Sequence, residues 1–242
     1  MRKHIRGLDH VVILVRDLDR AQDSYRRLGF TLTPRGFHSL GSQNHCIMFG
    51  RDYLELMALP AAPPAAFQYF AEFLARGEGA GALALASDDA AGAYAELAQA
   101  GIPAEPPLAL SRPVKDLGEA RFTLVQLPPS QTPGFRTFVC QHHTRDVVWR
   151  PEYRRHAIGA TGIESVSIAA SDPDLYARLF DNLPVVFSRA PAPAVTALRI
   201  GVTDRARAAE ILERGGFSPA RLADGSLAVS AGEAHGVALI FS

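Results

Sequence analysis

One local pattern returns four times along this chain: an apolar strand, an aspartate placed to cap a helix, and an amphipathic helix, usually closed by glycine. The first copy is GLDHVVILVRDLDRAQDSYRRLGF, from Gly7 to Phe30. Val11 to Val15 is a β-branched run suited to a buried strand. Asp17 caps a helix with the stripe Leu18, Ala21, Tyr25 and Leu28, and Gly29 ends it. In the second copy, GALALASDDAAGAYAELAQAGI, Asp89 and Gly101 keep the spacing of Asp17 and Gly29. In the third, TGIESVSIAASDPDLYARLFDNL, Gly162 and Asp172 match Gly7 and Asp17. In the fourth, TALRIGVTDRARAAEILERGGF, Asp204, Gly216 and Phe217 match Asp17, Gly29 and Phe30. A single small sheet cannot bury both of its faces, so such copies are expected to pair.

Further strands are expected after the first helix at Phe30 to Thr33, His45 to Phe49 and Tyr53 to Leu59, split by Gly41 and by Gly50-Arg51-Asp52. One unit is therefore β-α-β-β-β, an α+β module. The second copy continues with strands at Ala120 to Leu127 and Phe135 to Gln141. The third and fourth copies start so close together that the third cannot hold all three later strands and must be truncated. PPAAFQYFAEFLARGEG reads as a helix with Phe67, Phe70 and Leu74 on one face, stopped by Gly77, packing between modules. VVWRPEYRRH, which contains Trp149, reads as a docked linker.

Lys and Arg number 25 and Asp and Glu 25, a balance that argues against a nucleic-acid surface. No window approaches the length of an uninterrupted apolar membrane span, and the basic N-terminus lacks an apolar signal core. The two cysteines, Cys46 and Cys140, stand far apart in apolar contexts and read as small buried residues of a reducing compartment. The cytoplasm is the expected location. No serine–histidine–aspartate arrangement, phosphate-binding loop or dinucleotide glycine pattern occurs.

Two residues break their apolar surroundings. His10 interrupts the first strand, and Glu55 stands between Leu54 and Leu56 on a strand leading to Met57. A carboxylate there is costly to bury unless it meets a cation. Tyr53 shares its strand face and suits a pocket wall. Gln141, His142 and His143 stand at the end of the last strand of module two, with Gln141 and His143 on one face and His142 on the other. His38, in GFHSLGSQN, lines a pocket mouth or faces water, and His45 points away from Asn44. His4, His156 and His235 belong to no constellation and read as surface residues.

GLDHVVILVRDLD, the helix ending in LGF, the strand YLELMAL with Asn44 shortly before it, and CQHHT…VWRP together resemble the vicinal-oxygen-chelate superfamily. The likeness is closest to its glyoxalase-like branch (glyoxalase, bleomycin resistance, dioxygenase) and covers residue 7 to about residue 160. It implies paired βαβββ modules forming cupped, barrel-like mixed sheets around a divalent metal, with ligands from first and fourth strands. The implied organisation is a domain over 7–145, with modules at 7–59 and 80–143, and a C-terminal pair of degenerate or truncated modules over 160–242. His10 falls on the first-strand ligand and Glu55 on the fourth-strand ligand, which also serves catalysis. The corresponding first-strand positions of the other copies hold Ala82, Ser165 and Ala197, so the likeness does not extend to a full four-ligand glyoxalase or to its glutathione adduct. In the CQH word the branch favours His142 as the third ligand.

A two-histidine, one-carboxylate set leaves coordination positions open and suits Fe, Mn, Zn or Ni. The expected function is a metal-dependent enzyme acting by isomerisation, lyase chemistry or dioxygenation on a small oxygenated substrate that chelates the metal. Asn44, His38, Tyr53 and Gln141 are the expected substrate contacts, with Asn44 or Gln141 also steadying the imidazoles. The alternative is a metal-free protein that sequesters a small molecule in the same cup. Neither nucleic acid nor membrane is an expected partner, and the chain is expected to act as a monomer or homodimer.

Overall fold

The computed structural model, which describes residues 2–114, 117–181 and 183–242, turns each copy of the pattern into a module. Module one contains β1 (Gly7–Leu14), α1 (Leu18–Arg27), β2 (Gly36–Phe37), β3 (Gln43–Met48) and β4 (Tyr53–Ala58). The helix α2 (Gln68–Arg76) crosses to module two, which contains β5 (Gly79–Ser87), α3 (Ala90–Gln99), β6 (Leu108–Val114), β7 (Gly118–Gln126) and β8 (Arg136–His142). A linker with the short α4 (Arg145–Val148) leads to module three, reduced to β9 (Ala160–Ala170), α5 (Pro173–Ala177) and β10 (Val185–Arg189). Module four is complete: β11 (Ala194–Val202), α6 (Arg205–Arg214), β12 (Ala220–Arg221), β13 (Leu227–Val229) and β14 (Ala238–Phe241).

The four aspartates do the same work in each module. Asp17 accepts from the Arg20 amide (3.0 Å), Asp89 from Gly92 (2.9 Å), Asp172 from Asp174 (3.2 Å) and Asp204 from Ala206 (2.9 Å), satisfying amides that have no partner inside the helix. The stops Gly29, Gly101 and Gly216 take left-handed φ values of +88°, +66° and +84°.

Modules one and two share an eight-stranded sheet in the order β2-β3-β4-β1-β5-β8-β7-β6. β1 runs parallel to β4, β5 parallel to β8, and β1 and β5 meet antiparallel at the centre. Gly7 faces Ala86 and Leu14 faces Gly79, so the two modules are related by an approximate twofold that equates Gly7 with Gly79. β2 and β6, the edges of this sheet, approach one another and nearly close a barrel. Modules three and four repeat the plan in a six-stranded sheet, β10-β9-β11-β14-β13-β12, in which β10 takes the fourth-strand place beside β9. In every first strand the ladder skips one residue at the same point: Asp9, Gly81, Glu164 and Thr196. Such bulges re-aim side chains within a strand.

β1 alternates as a strand buried on two faces must. Val11, Ile13 and Val15 join the main core with Tyr25, Leu28, Leu198, Leu212 and Phe241, a core shared by both sheets and their helices. Val12 and Leu14 face the inside of the cup with Met57 and Ala82. Polar bonds also tie the module pairs: the Tyr25 hydroxyl donates to the Ala234 carbonyl (3.2 Å) and the Ile163 amide donates to Asp52 (3.0 Å).

Four expectations are corrected. Phe30 to Thr33 is not a strand, because Thr31 bonds the linker at Arg155 and His156 rather than a neighbouring strand, and Pro34 follows. β6 lies where no strand was expected. His156 and His235 are buried, not surface residues. His156 accepts from the Thr31 amide (3.0 Å) and donates to the Met48 carbonyl (2.9 Å), and His235 meets Glu78 at 2.9 Å. Cys46 and Cys140 are buried free thiols, as expected. Among the described residues no helix is long and apolar enough to cross a membrane.

Candidate functional site

Inside the eight-stranded cup lies a cavity of about 300 Å³. Its floor is built by inward-facing residues of adjacent strands: His10 and Val12 on β1, Asn44 and Cys46 on β3, Tyr53, Glu55 and Met57 on β4, Phe138 and Cys140 on β8. Phe67 and Phe70, at and within the start of α2, overhang it, so this helix roofs the cavity as well as bridging the modules. Leu40, Leu108 and Leu110 form an apolar, exposed rim.

The bulge at Asp9 explains the polar floor. Asp9 is 1 % exposed, and its Oδ1 accepts from His10 Nδ1 (2.6 Å) and from His142 Nε2 (3.0 Å). Burial alone would raise its pKa, but the hydrogen bonds from the two imidazoles outweigh it and hold the carboxylate far below its ordinary range. With Nδ1–H of His10 committed to Asp9, Nε2 presents its lone pair to the cavity. Tyr53 stacks on this ring at 4.3 Å and Phe138 meets it edge-on at 5.5 Å, fixing its plane.

Glu55 is 7 % exposed. Its Oε1 accepts from the Asn44 amide (2.6 Å), while Oε2 faces His10 Nε2 at 3.6 Å. His38 Nε2 lies 3.7 Å from Glu55 Oε1, and its Nδ1 is held by Ser42 (2.8 Å). Burial lowers the His38 pKa from its ordinary value, outweighing the opposing pull of the Glu55 carboxylate. A lone pair facing a carboxylate inside a protein calls for a positive charge between them. A nitrogen and an oxygen each about 2.1 Å from a shared divalent ion stand roughly 3–4 Å apart, so the donor chemistry and spacing of His10 and Glu55 fit such an ion.

His142 is not part of this pair. Tyr53 is the ladder partner of His10 and Arg136 that of Ala82, so the twofold equates Glu55 with Phe138. His142 lies four residues beyond Phe138, about 13 Å along the strand. There it sits in an aromatic box, with Phe122 and Trp149 each at 4.9 Å, and its Nδ1 has no hydrogen-bond partner among the described residues. Asp9, Cys140 and His142 do bring three donor atoms within 4.8 Å of one another, the one such group among the described residues. Asp9 is already shared between two imidazoles there, and burial raises the Cys140 thiol well above its ordinary pKa. Burial likewise pushes the Cys46 thiol up to about 12, which removes it as a nucleophile.

The expected substrate contacts divide. Asn44, His38 and Tyr53 line the cavity. Gln141 does not; its side chain accepts from the Ala90 amide (2.9 Å) and donates to the Asp88 carbonyl (2.7 Å), bracing the start of α3 on the outer face. His143 is exposed beside Thr123. Three residues were missed: Asp9, Arg112 and Phe138. A carboxylate directly before a histidine in the apolar run GLDHVVILV was a readable sign for Asp9, whereas Arg112 lies on the unanticipated β6.

A family model described as a glyoxalase-like domain matches residues 8–183. No curated protein sequence matches the chain. Among solved structures, a hypothetical protein from Staphylococcus aureus aligns with a TM-score of 0.72 and 13% identity over 98% of both chains. A mutant 4-hydroxymandelate synthase from Streptomyces coelicolor aligns at 0.60 and 14% identity, over 90% of this chain and 77% of its own. Homoprotocatechuate 2,3-dioxygenase from Arthrobacter globiformis aligns at 0.60 and 13% identity, over 99% and 80%. At these identities the structural likenesses concern the fold.

Proposed function

Since the chain belongs to the glyoxalase-like domain family, we propose that it is a metal-dependent enzyme acting on a small oxygenated molecule inside the cup. His10 and Glu55 would hold the divalent ion (Fe, Mn, Zn or Ni). The observation that carries the reading is the buried, facing pair of His10 Nε2 and Glu55 Oε2, with Asp9 on the far side of the imidazole. A bound divalent ion supplies Lewis acidity toward paired substrate oxygens.

The chain's own residues do the rest. Asp9 fixes the His10 tautomer, and Asn44 holds Glu55 so that Oε2 points inward. His38, anchored through Nδ1 by Ser42, offers Nε2 as a proton acceptor, and Glu55 shares that task. Phe67, Phe70 and Phe138 keep bulk water from the floor. Isomerisation, lyase chemistry and dioxygenation are all within reach of this arrangement, and the solved dioxygenase of the same fold supports the last of them. The site belongs to residues 7–145, backed by the module pair at 160–242, in a cytoplasmic monomer or homodimer.

One observation favours the metal-free sequestering alternative: Ala82 and Phe138 occupy the two counterpart positions, so module two offers no donor there. Elemental analysis of protein purified without chelator or affinity metal decides between them. The enzyme reading predicts about one ion per chain, lost in both His10→Ala and Glu55→Ala and retained in His142→Ala. No ion in the wild type after adding back Fe, Mn, Zn and Ni would hand the lead to sequestration.

A further inference from the structure

The cavity wall carries more positive than negative charge. Its charged lining residues are Arg112, Arg136 and Glu55. Arg136 donates to Gln126 (3.0 Å) and lies over the Tyr69 ring. Glu55 is engaged by Asn44 and faces the two imidazoles. Arg112 is half-buried on β6, and its guanidinium makes no hydrogen bond or ion pair among the described residues. It points into the narrow gap between the sheet edges, where Gly36 leaves room: a Cβ there would stand 3.3 Å from Arg112 Nη1 and would collide with Asn44 Oδ1. A guanidinium held in a mostly apolar cavity without an acceptor is costly, unless an anion arrives to accept from it.

We infer that the cavity takes an apolar monocarboxylic acid, its carboxylate paired with Arg112 and its body lying against Phe122, Leu124 and Phe138, with the opposite end at His10 and Glu55. This deepens the proposed function and rests on it for the location of the reacting end only. The planar guanidinium matches the planar carboxylate as a fork. A phosphate is the poorer fit. Phosphate sites usually recruit several backbone N–H groups or a helix N-terminus, and the walls here are strands whose amides are spent in ladders. The exposed leucines at the mouth, Leu40, Leu108 and Leu110, continue the apolar path that such an acid would follow.

Calorimetric titration with 3-phenylpropanoate and hexanoate, and with the corresponding uncharged amides, tests this on the full chain. At least one acid should bind tenfold or more tightly than its amide, and Arg112→Met should abolish that preference while leaving metal content unchanged. Arg112→Lys should restore part of it. Equal binding of acid and amide to the wild type, no measurable binding of either acid at millimolar concentration, or an Arg112→Met variant that keeps the preference would each overturn the inference. The wild-type comparison stands even if a variant fails to fold. Metal content, measured in parallel, separates the two readings: an acid preference without a bound ion contradicts the metal site alone, and a bound ion without an acid preference contradicts only the role of Arg112.

Discussion

Where module one carries Asp9, His10, Tyr53 and Glu55, module two carries Gly81, Ala82, Arg136 and Phe138 at the positions the twofold equates. The backbones are alike down to the bulge, yet one half of the cup floor carries the hydrogen-bonded Asp9, His10 and Glu55, and the other has a glycine, an alanine and a phenylalanine at those three places, with Arg136 at the place of Tyr53. A repeated module thus supplies the same strand places twice, and side chains alone make the two halves of the floor differ. The C-terminal pair extends the series, with Ser165 and Ala197 at the place of His10. Its part in the structure is to cover the helices of the first pair, through the shared core and buried contacts such as Tyr25 to Ala234.

The most damaging way to break the contrast is to remove the residue that organises the polar half. Asp9→Ala leaves two buried imidazoles without their shared acceptor and should cost about 3–5 kcal/mol in urea unfolding. Asp9→Asn, which keeps an acceptor, should cost clearly less. A loss under 1 kcal/mol for Asp9→Ala, well below that range, would mean that the two histidines do not depend on it.

The helix stops sharpen the comparison. Gly29 and Gly101 share left-handed φ values, but a Cβ on Gly29 would stand 2.6 Å from Ile211 Cγ2 and 3.0 Å from Ile158 Cβ, while one on Gly101 would meet nothing within 4 Å. Gly101→Ala should therefore cost about 1 kcal/mol, for backbone strain alone. Gly29→Ala should cost about 3 kcal/mol, because overpacking adds to it where the module pairs dock. Equal losses would show that the docking surface yields freely.

The smallest expected effect is a pH dependence at the same junction. Burial lowers the His156 pKa below its ordinary value of 6.5, outweighing its bond to the Met48 carbonyl. The unfolded chain then binds the extra proton, so this contribution to stability is full above about pH 6.5 and fades as the pH falls. Asp52, raised by burial to about 6, acts in the opposite sense: its contribution is present in acid and is lost as the pH rises through about 6. Unfolding of His156→Gln at pH 5 and pH 8 should show a shallower acid decline than the wild type. An unchanged slope would remove His156 from this role.

How much of this was readable follows from where the information lies. Caps and stops are local, so Asp17, Asp89, Asp172 and Asp204 announced the modules and their number without any tertiary knowledge. His10 and Glu55 stand out in the sequence because a polar group in an apolar strand is expensive and needs a reason. Only the pairing of β5 with β8 reveals that Phe138, not His142, stands level with Glu55, and that His142 sits with Asp9 and Cys140 instead. The direction of Gln141 was no more readable, since its amide turns to the backbone ahead of α3. His156 and His235 looked like surface residues because the surfaces that bury them come from distant modules.

The central claim is that the reactive centre sits on module one alone. Nitrogen-15 NMR of histidine-labelled protein, recorded before and after adding Zn, tests it directly, with His10→Ala and His142→Ala supplying the assignments. The His10 Nε2 resonance should move on metal addition while both His142 nitrogens stay where they are. A shift at His142 with His10 unmoved would contradict the claim and move the centre to Asp9, Cys140 and His142.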